Sequence, residues 1–487
     1  MPESLVPQPT AITPPAPAAL QEPLPRVAII GAGASGLAAA KALHQAGVPF
    51  TCFEASDQVG GNWVFKNRNG WSSAYRSLHI NSSRTKMAYT DFPMPLGTPD
   101  FPHHSQVAAY LAAYVDHFGF REKIRFQTRV RRAEPELGQW MLHLASGERE
   151  VFDALIVANG HNWDPQWPDP KVPGNFDGLQ MHSHTYVDPL EPVDCRDKRV
   201  LIVGFGDSAL DIACELSQNG KARKVVLSQR RGRWVLPKYI DGRPWDQWTA
   251  HPANDAGLLR GLGPRGVRHG DAAKALQRLT GKAQSFGLLA PEAALFEQAY
   301  SVSHDLYLRI GSGTIAPKPG VRALAGRAVT FEDGSAEEVD LIIWCTGYRI
   351  RFPFFDESII SAPDQDIVLW HRIMDPRYLN LFFIGLVRPQ CAMMPVAEQQ
   401  ANFVTAYLTG DYALPPLPYM KAERFAMADA LKRKKTSGAR SVIDIECPSY
   451  FRDLRQELAR GRLRARTQGK PLPIKARAAN ASAVAKP

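Results

Sequence analysis

The sequence predicts an α/β protein built on two Rossmann-like dinucleotide-binding domains. Two segments carry that reading. Near residue 26 a short apolar run ends in a glycine-rich turn that opens onto a helical stretch, and near residue 199 the same arrangement returns. This pair of βαβ units is the only internal repeat. The composition agrees: 487 residues, 45% hydrophobic and 22% charged, is ordinary for a globular enzyme of two or more domains.

The first strand is read as Arg26–Ile30, an apolar run suited to a parallel strand buried on both faces. A helix follows from Ser35 to about Gln45, ended by Gly47, and the next strand is Pro49–Glu54. Residues 62–104 hold many turn formers and read as a long functional loop region. A helix is expected at Ala108–His117 and strands at Ile124–Val130, Trp140–Leu144 and Ala154–Ala158. The second unit is read as a strand at Arg199–Val203, a helix from Ala209 to about Gln218 and a strand at Lys224–Ser228. Residues 239–300 are weakly periodic and read as an insertion with helices around Ala272–Leu279 and Pro291–Tyr300. Strands at Arg327–Phe331, Leu341–Trp344 and Leu381–Ile384, then helices at Ala397–Leu408 and Tyr450–Ala459, complete the expected body.

Each glycine turn has a distinct chemistry around it. Gly31-Ala32-Gly33-Ala34-Ser35-Gly36 fits G-x-G-x-x-G between strand and helix. Gly31 permits the tight turn, Gly33 the approach of backbone to a pyrophosphate, and Gly36 close packing of helix on strand. The phosphates then meet free N–H groups at the positive helix end. Glu54, about 20 residues on, ends the second strand, where a carboxylate takes both ribose hydroxyls and repels a 2′-phosphate. FAD or NAD is favoured there over NADP. Gly60-Gly61-Asn62-Trp63 offers a second close backbone approach and a flat indole; a plain surface turn explains the same residues equally well.

The second turn is Gly204-Phe205-Gly206-Asp207-Ser208-Ala209, with Ala tolerated at the third position. The strand after it ends in Ser228-Gln229-Arg230-Arg231 instead of Glu. A guanidinium there takes a 2′-phosphate through two charge-assisted bonds, so this site prefers NADP. Gly204, Gly206, Ser208, Ala209, Ser228 and Arg230 are its expected contacts. Asp207 is a complication, because a carboxylate beside a pyrophosphate is unfavourable unless it points away. Two dinucleotide sites of opposite preference suggest electron transfer from NADPH to a flavin, with the fate of the electrons left open.

Composition narrows the remaining classes. The six cysteines are scattered without a C-x-x-C pair, which argues against a disulfide scaffold, a zinc ribbon or a dithiol centre and for a cytoplasmic, reducing setting. No metal is expected. The net charge of +10 is local: residues 421–487 hold 17 basic and 6 acidic groups, the rest of the chain 41 and 42. That end reads as a solvated tail without the interleaved aromatics of a nucleic-acid binder. No run of about 18 apolar residues predicts a membrane anchor. The Pro- and Ala-rich start lacks the pattern of a signal peptide and reads as a disordered leader.

Between the two turns stands Phe176-Asp177-Gly178-Leu179-Gln180-Met181-His182-Ser183-His184-Thr185-Tyr186. It resembles the F-x-G-x-x-x-H-x-x-x-Y/F fingerprint of the flavin-containing monooxygenases. The related Baeyer–Villiger monooxygenases typically carry Trp at the position of Tyr186. Tyr75–Ser83, leading into Asp91-Phe92-Pro93-Met94-Pro95, looks like the family's active-site segment, and Asn81 matches its asparagine beside flavin and nicotinamide. Ala158-Asn159-Gly160 and Cys345-Thr346-Gly347-Tyr348 look like its two strand-end linkers. Phe383-Ile384-Gly385-Leu386 and Glu398-Gln399-Gln400-Ala401 resemble the return of the chain to the FAD domain. The likeness spans about residues 26–460; Asp207, where Asn is common, is a departure.

The resemblance implies an NADP domain inserted in the FAD domain. The expected layout is a leader at 1–25, the FAD domain at 26–160 and 331–460, the NADP domain at 161–330, and a disordered basic tail at 461–487. FAD contacts are expected from Gly31, Gly33, Ala34, Ser35, Gly36, Glu54, Gly61, Asn62, Trp63, Asn81, Val130 and Gln399. The implied enzyme is a flavoprotein monooxygenase, an oxidoreductase in which NADPH reduces FAD, O2 adds to give a C4a-hydroperoxide, and a small nitrogen or sulfur nucleophile takes one oxygen atom. Asn81 suits the site because its amide donates and accepts without adding charge. His182 reads as structural rather than as a base. Other readings stay open: a Baeyer–Villiger enzyme acting on ketones, or a nucleotide sensor with a silent flavin. A flavin disulfide reductase would need a cysteine pair that is absent. No nucleic acid is an expected partner, and a homo-oligomer is left open.

Overall fold

The computed structural model describes residues 23–248, 269–296, 299–362, 367–436 and 442–474. Most of the expected leader, part of the expected insertion and the end of the expected tail lie outside the described residues.

Two five-stranded parallel sheets organise the chain. The first runs in the order Leu381–Phe383, Ala154–Val157, Val27–Ile30, Phe50–Phe53, Ile124–Arg125. Every residue of Val27–Ile30 and of Ala154–Val157 is buried, as a strand covered on both faces requires. One face carries the helices Ala34–Gln45, His104–Phe118 and Met393–Leu408. The other meets the meander Val130–Glu136, Gln139–Leu144, Arg149–Phe152 and the phenylalanines at 352, 354 and 355.

The second sheet runs Ile315–Lys318, Lys224–Ser228, Arg199–Val203, Leu341–Trp344, Leu179–His182, again all parallel. Its strands lie between the two parts of the first sheet in sequence, so the second unit is inserted in the first. Strand pairing carries it to Trp344, past the boundary expected near residue 330, because Leu341–Trp344 is the direct neighbour of Arg199–Val203.

Three local expectations are corrected. The described part of 291–300 is not helical, and Trp234 is held there by an Nε1 hydrogen bond of 2.8 Å to the Ala293 carbonyl. The last helix is Cys447–Thr467, so the chain is ordered well beyond Arg460. Its inward face uses small residues: a Cβ on Gly461 would lie 1.9 Å from the Tyr412 ring, and Ala465 is buried. Arg464 reaches Glu457 at 2.5 Å and Lys470 reaches Asp411 at 2.7 Å. Cys391 and Cys447 form a disulfide that ties the approach to Met393–Leu408 to the start of the last helix. The isolated spacing of these cysteines, 56 residues apart, hid that pairing. No helix of the described residues is long and apolar enough to cross a membrane.

Candidate functional site

The carboxyl ends of the first sheet open into a cavity of about 540 Å³, the edge where open α/β sheets bind ligands. Its floor is the first glycine turn, with Gly31, Gly33, Ala34 and Ser35 in the wall. Gly31 has φ +103°, and a Cβ there would lie 2.6 Å from the Ala158 carbonyl oxygen. Gly36 serves packing alone, since its Cβ would lie 1.8 Å from the Gly31 oxygen. The Gly60–Trp63 turn folds over this floor so closely that a Cβ on Gly61 would lie 3.0 Å from the Gly33 Cα. Gly61, Asn62 and Trp63 line the cavity.

Glu54 also reaches the wall. It is buried and accepts hydrogen bonds from the backbone N–H of Ala32 at 2.7 Å and of Ser56 at 2.8 Å. Burial raises its pKa, and these backbone donors pull the other way. The carboxylate is thereby fixed against the glycine turn. Val130 lines the cavity as expected. Gln399 does not, and lies half-buried on Met393–Leu408. Its neighbour Gln400 is the inward one, accepting from the Gly385 N–H and donating to Tyr450, both at 2.8 Å.

Sequence reasoning missed several wall residues. Trp71 and Trp163 stand 5.4 Å apart with Arg129 over Trp71, and all three border the cavity. His161 and Tyr348 join them from the two strand-end linkers, whose position after Ala154–Val157 and Leu341–Trp344 was the available signal. Burial lowers the His161 pKa to about 4, so it is neutral, and its Nδ1 has no hydrogen-bond partner among the described residues.

A second cavity of about 220 Å³ adjoins the first, and Asp207, Arg388 and Pro389 line both. Asn81 lies here, not in the larger cavity. Trp245 anchors its carbonyl through a 2.8 Å hydrogen bond and holds the bend on this side, whereas a place at the first site was expected. Its side-chain Oδ1 has no partner among the described residues. Asp207 begins the helix Asp207–Leu216, accepts from the Val302 N–H at 3.0 Å and lines both cavities. Burial raises its pKa, opposed by that backbone bond, by Arg233 and by the Asn81 amide.

The same helix carries Asp211 and Glu215 on the Asp207 face at four-residue intervals. Tyr75, from the expected active-site segment, donates a short hydrogen bond to Asp211, and burial pushes the Asp211 pKa up to about 7. Tyr186 donates to Glu215 at 2.8 Å. The sequence fingerprint is therefore a structural clamp. Gly178 is required because a Cβ would lie 2.6 Å from the Phe176 ring and 2.7 Å from the Asp340 oxygen. Buried His182, its pKa lowered to about 4 by desolvation, caps a short turn by accepting from the His184 N–H at 3.1 Å.

At the second turn Gly204 has φ +134°, and a Cβ would lie 2.4 Å from the Cys345 oxygen. Ala209 is buried in packing, and the Ser228 hydroxyl donates to the Pro319 oxygen at 2.7 Å, so its side chain is turned inward rather than toward a ligand. Arg230 is exposed at the strand end. Of the expected NADP residues, Gly204, Gly206, Ser208 and Ala209 share one turn, with Arg230 on its open side.

The glycine cradle, the fixed carboxylate and the partnerless polar atoms of His161 and Asn81 fit a flavin dinucleotide in the first cavity and a nicotinamide dinucleotide at the second turn. Similarity to known proteins gives the family. The family described as flavin-binding monooxygenase-like matches residues 25–460. Dimethylaniline monooxygenase (N-oxide-forming) 2 of Rattus norvegicus is 35% identical over 426 residues, covering 84% of this chain and 77% of its own. The S-allyl-L-cysteine S-oxygenase of Allium sativum superposes with a TM-score of 0.66 at 25% identity, covering 90% of each chain. The NADP+-bound cyclohexanone monooxygenase of Rhodococcus sp. Phi1 gives 0.64 at 17% identity over 91% of this chain and 98% of its own, a likeness of fold.

Proposed function

Because the chain belongs to the flavin-binding monooxygenase-like family, we propose that it places one oxygen atom on a soft nitrogen or sulfur nucleophile. It is an FAD- and NADPH-dependent monooxygenase. The observation that carries the finer reading is the junction of the two cavities at Asp207 and Arg388. A flavin held along the first glycine turn and a nicotinamide dinucleotide held at the second would both reach these residues.

In this reading Gly31, Gly33, Ala34 and Ser35 hold the FAD pyrophosphate at the helix N-terminus, and Glu54, Gly61, Asn62, Trp63 and Val130 hold the rest. Gly204, Gly206 and Ser208 take the NADPH pyrophosphate, with Ala209 packed behind them, and Arg230 takes the 2′-phosphate. Bound FAD, once reduced, supplies the activation of O2. The chain's own residues do the remainder. Trp71 and Trp163 shield the larger cavity from water. His161 stays neutral and presents a free nitrogen. Asn81 steadies Asp207 and offers its free oxygen at the junction.

The choice of nucleophile is supported by Tyr186 and by the relatives that form N-oxides and S-oxides. The test follows NADPH consumption, peroxide release and product across amines, sulfides and ketones. N-oxide or sulfoxide is expected; a lactone from a ketone as the main product overturns the reading in favour of the Baeyer–Villiger alternative.

A further inference from the structure

We infer that Arg233 is a pyrophosphate ligand for NADPH at the second glycine turn, where it also offsets the charge of Asp207. The inference rests on the placing of NADPH at that turn. It is carried by position and by partners. The Arg233 Nη1 lies 3.8 Å from where a Cβ on Gly206 would stand. Gly206 is the N-cap of Asp207–Leu216, so this guanidinium faces the free N–H groups of a ten-residue helix from the open side of its glycine. A diphosphate at the turn sits between the two.

The partners decide what the charge is for. The second cavity has two guanidinium groups in its wall, Arg233 and Arg388. Arg388 is spent on Asp444, which accepts from it at 2.5 and 3.0 Å. Arg233 has no hydrogen bond and no ion pair among the described residues, yet it is half-buried. The charges that face it are Asp207, Arg388 and Asp444, none within ion-pair distance. A guanidinium withdrawn from water without a partner is costly, and an anionic ligand repays that cost. Asp207, at the same turn, would repel a pyrophosphate; Arg233 beside it cancels that repulsion. A planar fork suits two phosphate oxygens at once. Arg230, exposed at the end of Lys224–Ser228, stands where the 2′-phosphate is expected, so the two arginines divide the coenzyme.

That division gives the test. Dissociation constants for NADP+ and NAD+ are measured on the flavin-loaded protein by calorimetry, with inorganic pyrophosphate as competitor. Arg233→Gln weakens NADP+ and NAD+ by the same factor, roughly tenfold to a hundredfold, with flavin content unchanged. Pyrophosphate displaces NADP+ from the wild type but loses that effect in Arg233→Gln, and Arg233→Lys recovers part of the affinity. Unchanged binding in Arg233→Gln overturns the inference, as does a loss confined to NADP+, which would make Arg233 a reader of the 2′-phosphate. If Gly206→Val leaves NADP+ binding intact, the placing of NADPH itself is wrong; if Gly206→Val abolishes binding while Arg233→Gln does not, only the role of Arg233 falls.

Discussion

At the first turn Gly31 stands at φ +103° with the Ala158 oxygen 2.6 Å from its absent Cβ; at the second, Gly204 stands at +134° with the Cys345 oxygen at 2.4 Å. The backbone problem is the same, and each turn is pressed against the end of the neighbouring parallel strand. The surroundings differ. Gly33 is covered by Gly61, whereas Gly206 is open except for Arg233. The third position must be Gly36 at the first turn and is Ala209 at the second. A buried carboxylate, Glu54, closes the first site, and an exposed guanidinium, Arg230, flanks the second. Enclosure suits a cofactor that stays; an open turn suits a coenzyme that exchanges.

The largest break in that comparison comes from filling each turn. Gly31→Val and Gly204→Val both put a branched side chain at positive φ into a carbonyl oxygen. Gly31→Val is expected to yield protein essentially free of flavin, measured as the ratio of flavin to protein absorbance. Gly204→Val is expected to keep its flavin and lose NADPH oxidation. Loss of flavin in both would mean that the turns are not separate sites.

Arg230→Ala sharpens the contrast in charge. Its kcat/KM with NADPH is expected to fall roughly tenfold to a hundredfold, the value of a hydrogen bond to a charged group, with NADH nearly unchanged. An equal fall for both coenzymes would count against a 2′-phosphate contact.

Asn81→Leu probes the junction. Leu keeps the approximate volume but removes the amide beside Asp207 and the free Oδ1. Flavin binding and hydride acceptance are expected to persist, while product per NADPH falls about tenfold and peroxide rises. A wild-type ratio would reduce Asn81 to a bend residue.

The smallest effect concerns Asp211. Its folded pKa of about 7 lies above the ordinary 3.8 through burial first and the nearby Asp207 charge second. An acid with a raised folded pKa binds its proton more tightly in the native state. Stability therefore falls as pH rises from about 4 to about 7 and levels off above, by at most about 1.4 kcal/mol per pH unit. Asp211→Asn is expected to flatten that part of the Tm profile; an identical slope in the variant would remove Asp211 as its source.

Much of this was legible beforehand, for physical reasons. Arg199–Val203, Lys224–Ser228 and Leu341–Trp344 form as the sequence predicts because short, β-branched apolar runs between turn residues suit parallel strands buried on both faces. The glycine turns were legible because a positive φ and a close carbonyl leave no other residue. What stayed hidden depends on tertiary neighbours. Gly461 and Ala465 read as part of a disordered tail until Tyr412 lies against Gly461 and Ala465 is buried. Nothing in the sequence sets Arg233 apart beside Arg230 and Arg231; its burial does. Asn81 was recognised by motif, but its place in the smaller cavity follows from Trp245, 164 residues away.

Together these variants ask whether two nucleotide sites of opposite preference serve one oxygen transfer. Turnover of an alkyl sulfide with NADPH under isotopically labelled O2 tests it most directly. Sulfoxide carrying one labelled oxygen atom for each NADPH consumed, with little peroxide, is the expected result. Unlabelled product, or NADPH consumption that ends wholly in peroxide for every amine and sulfide offered, would contradict it.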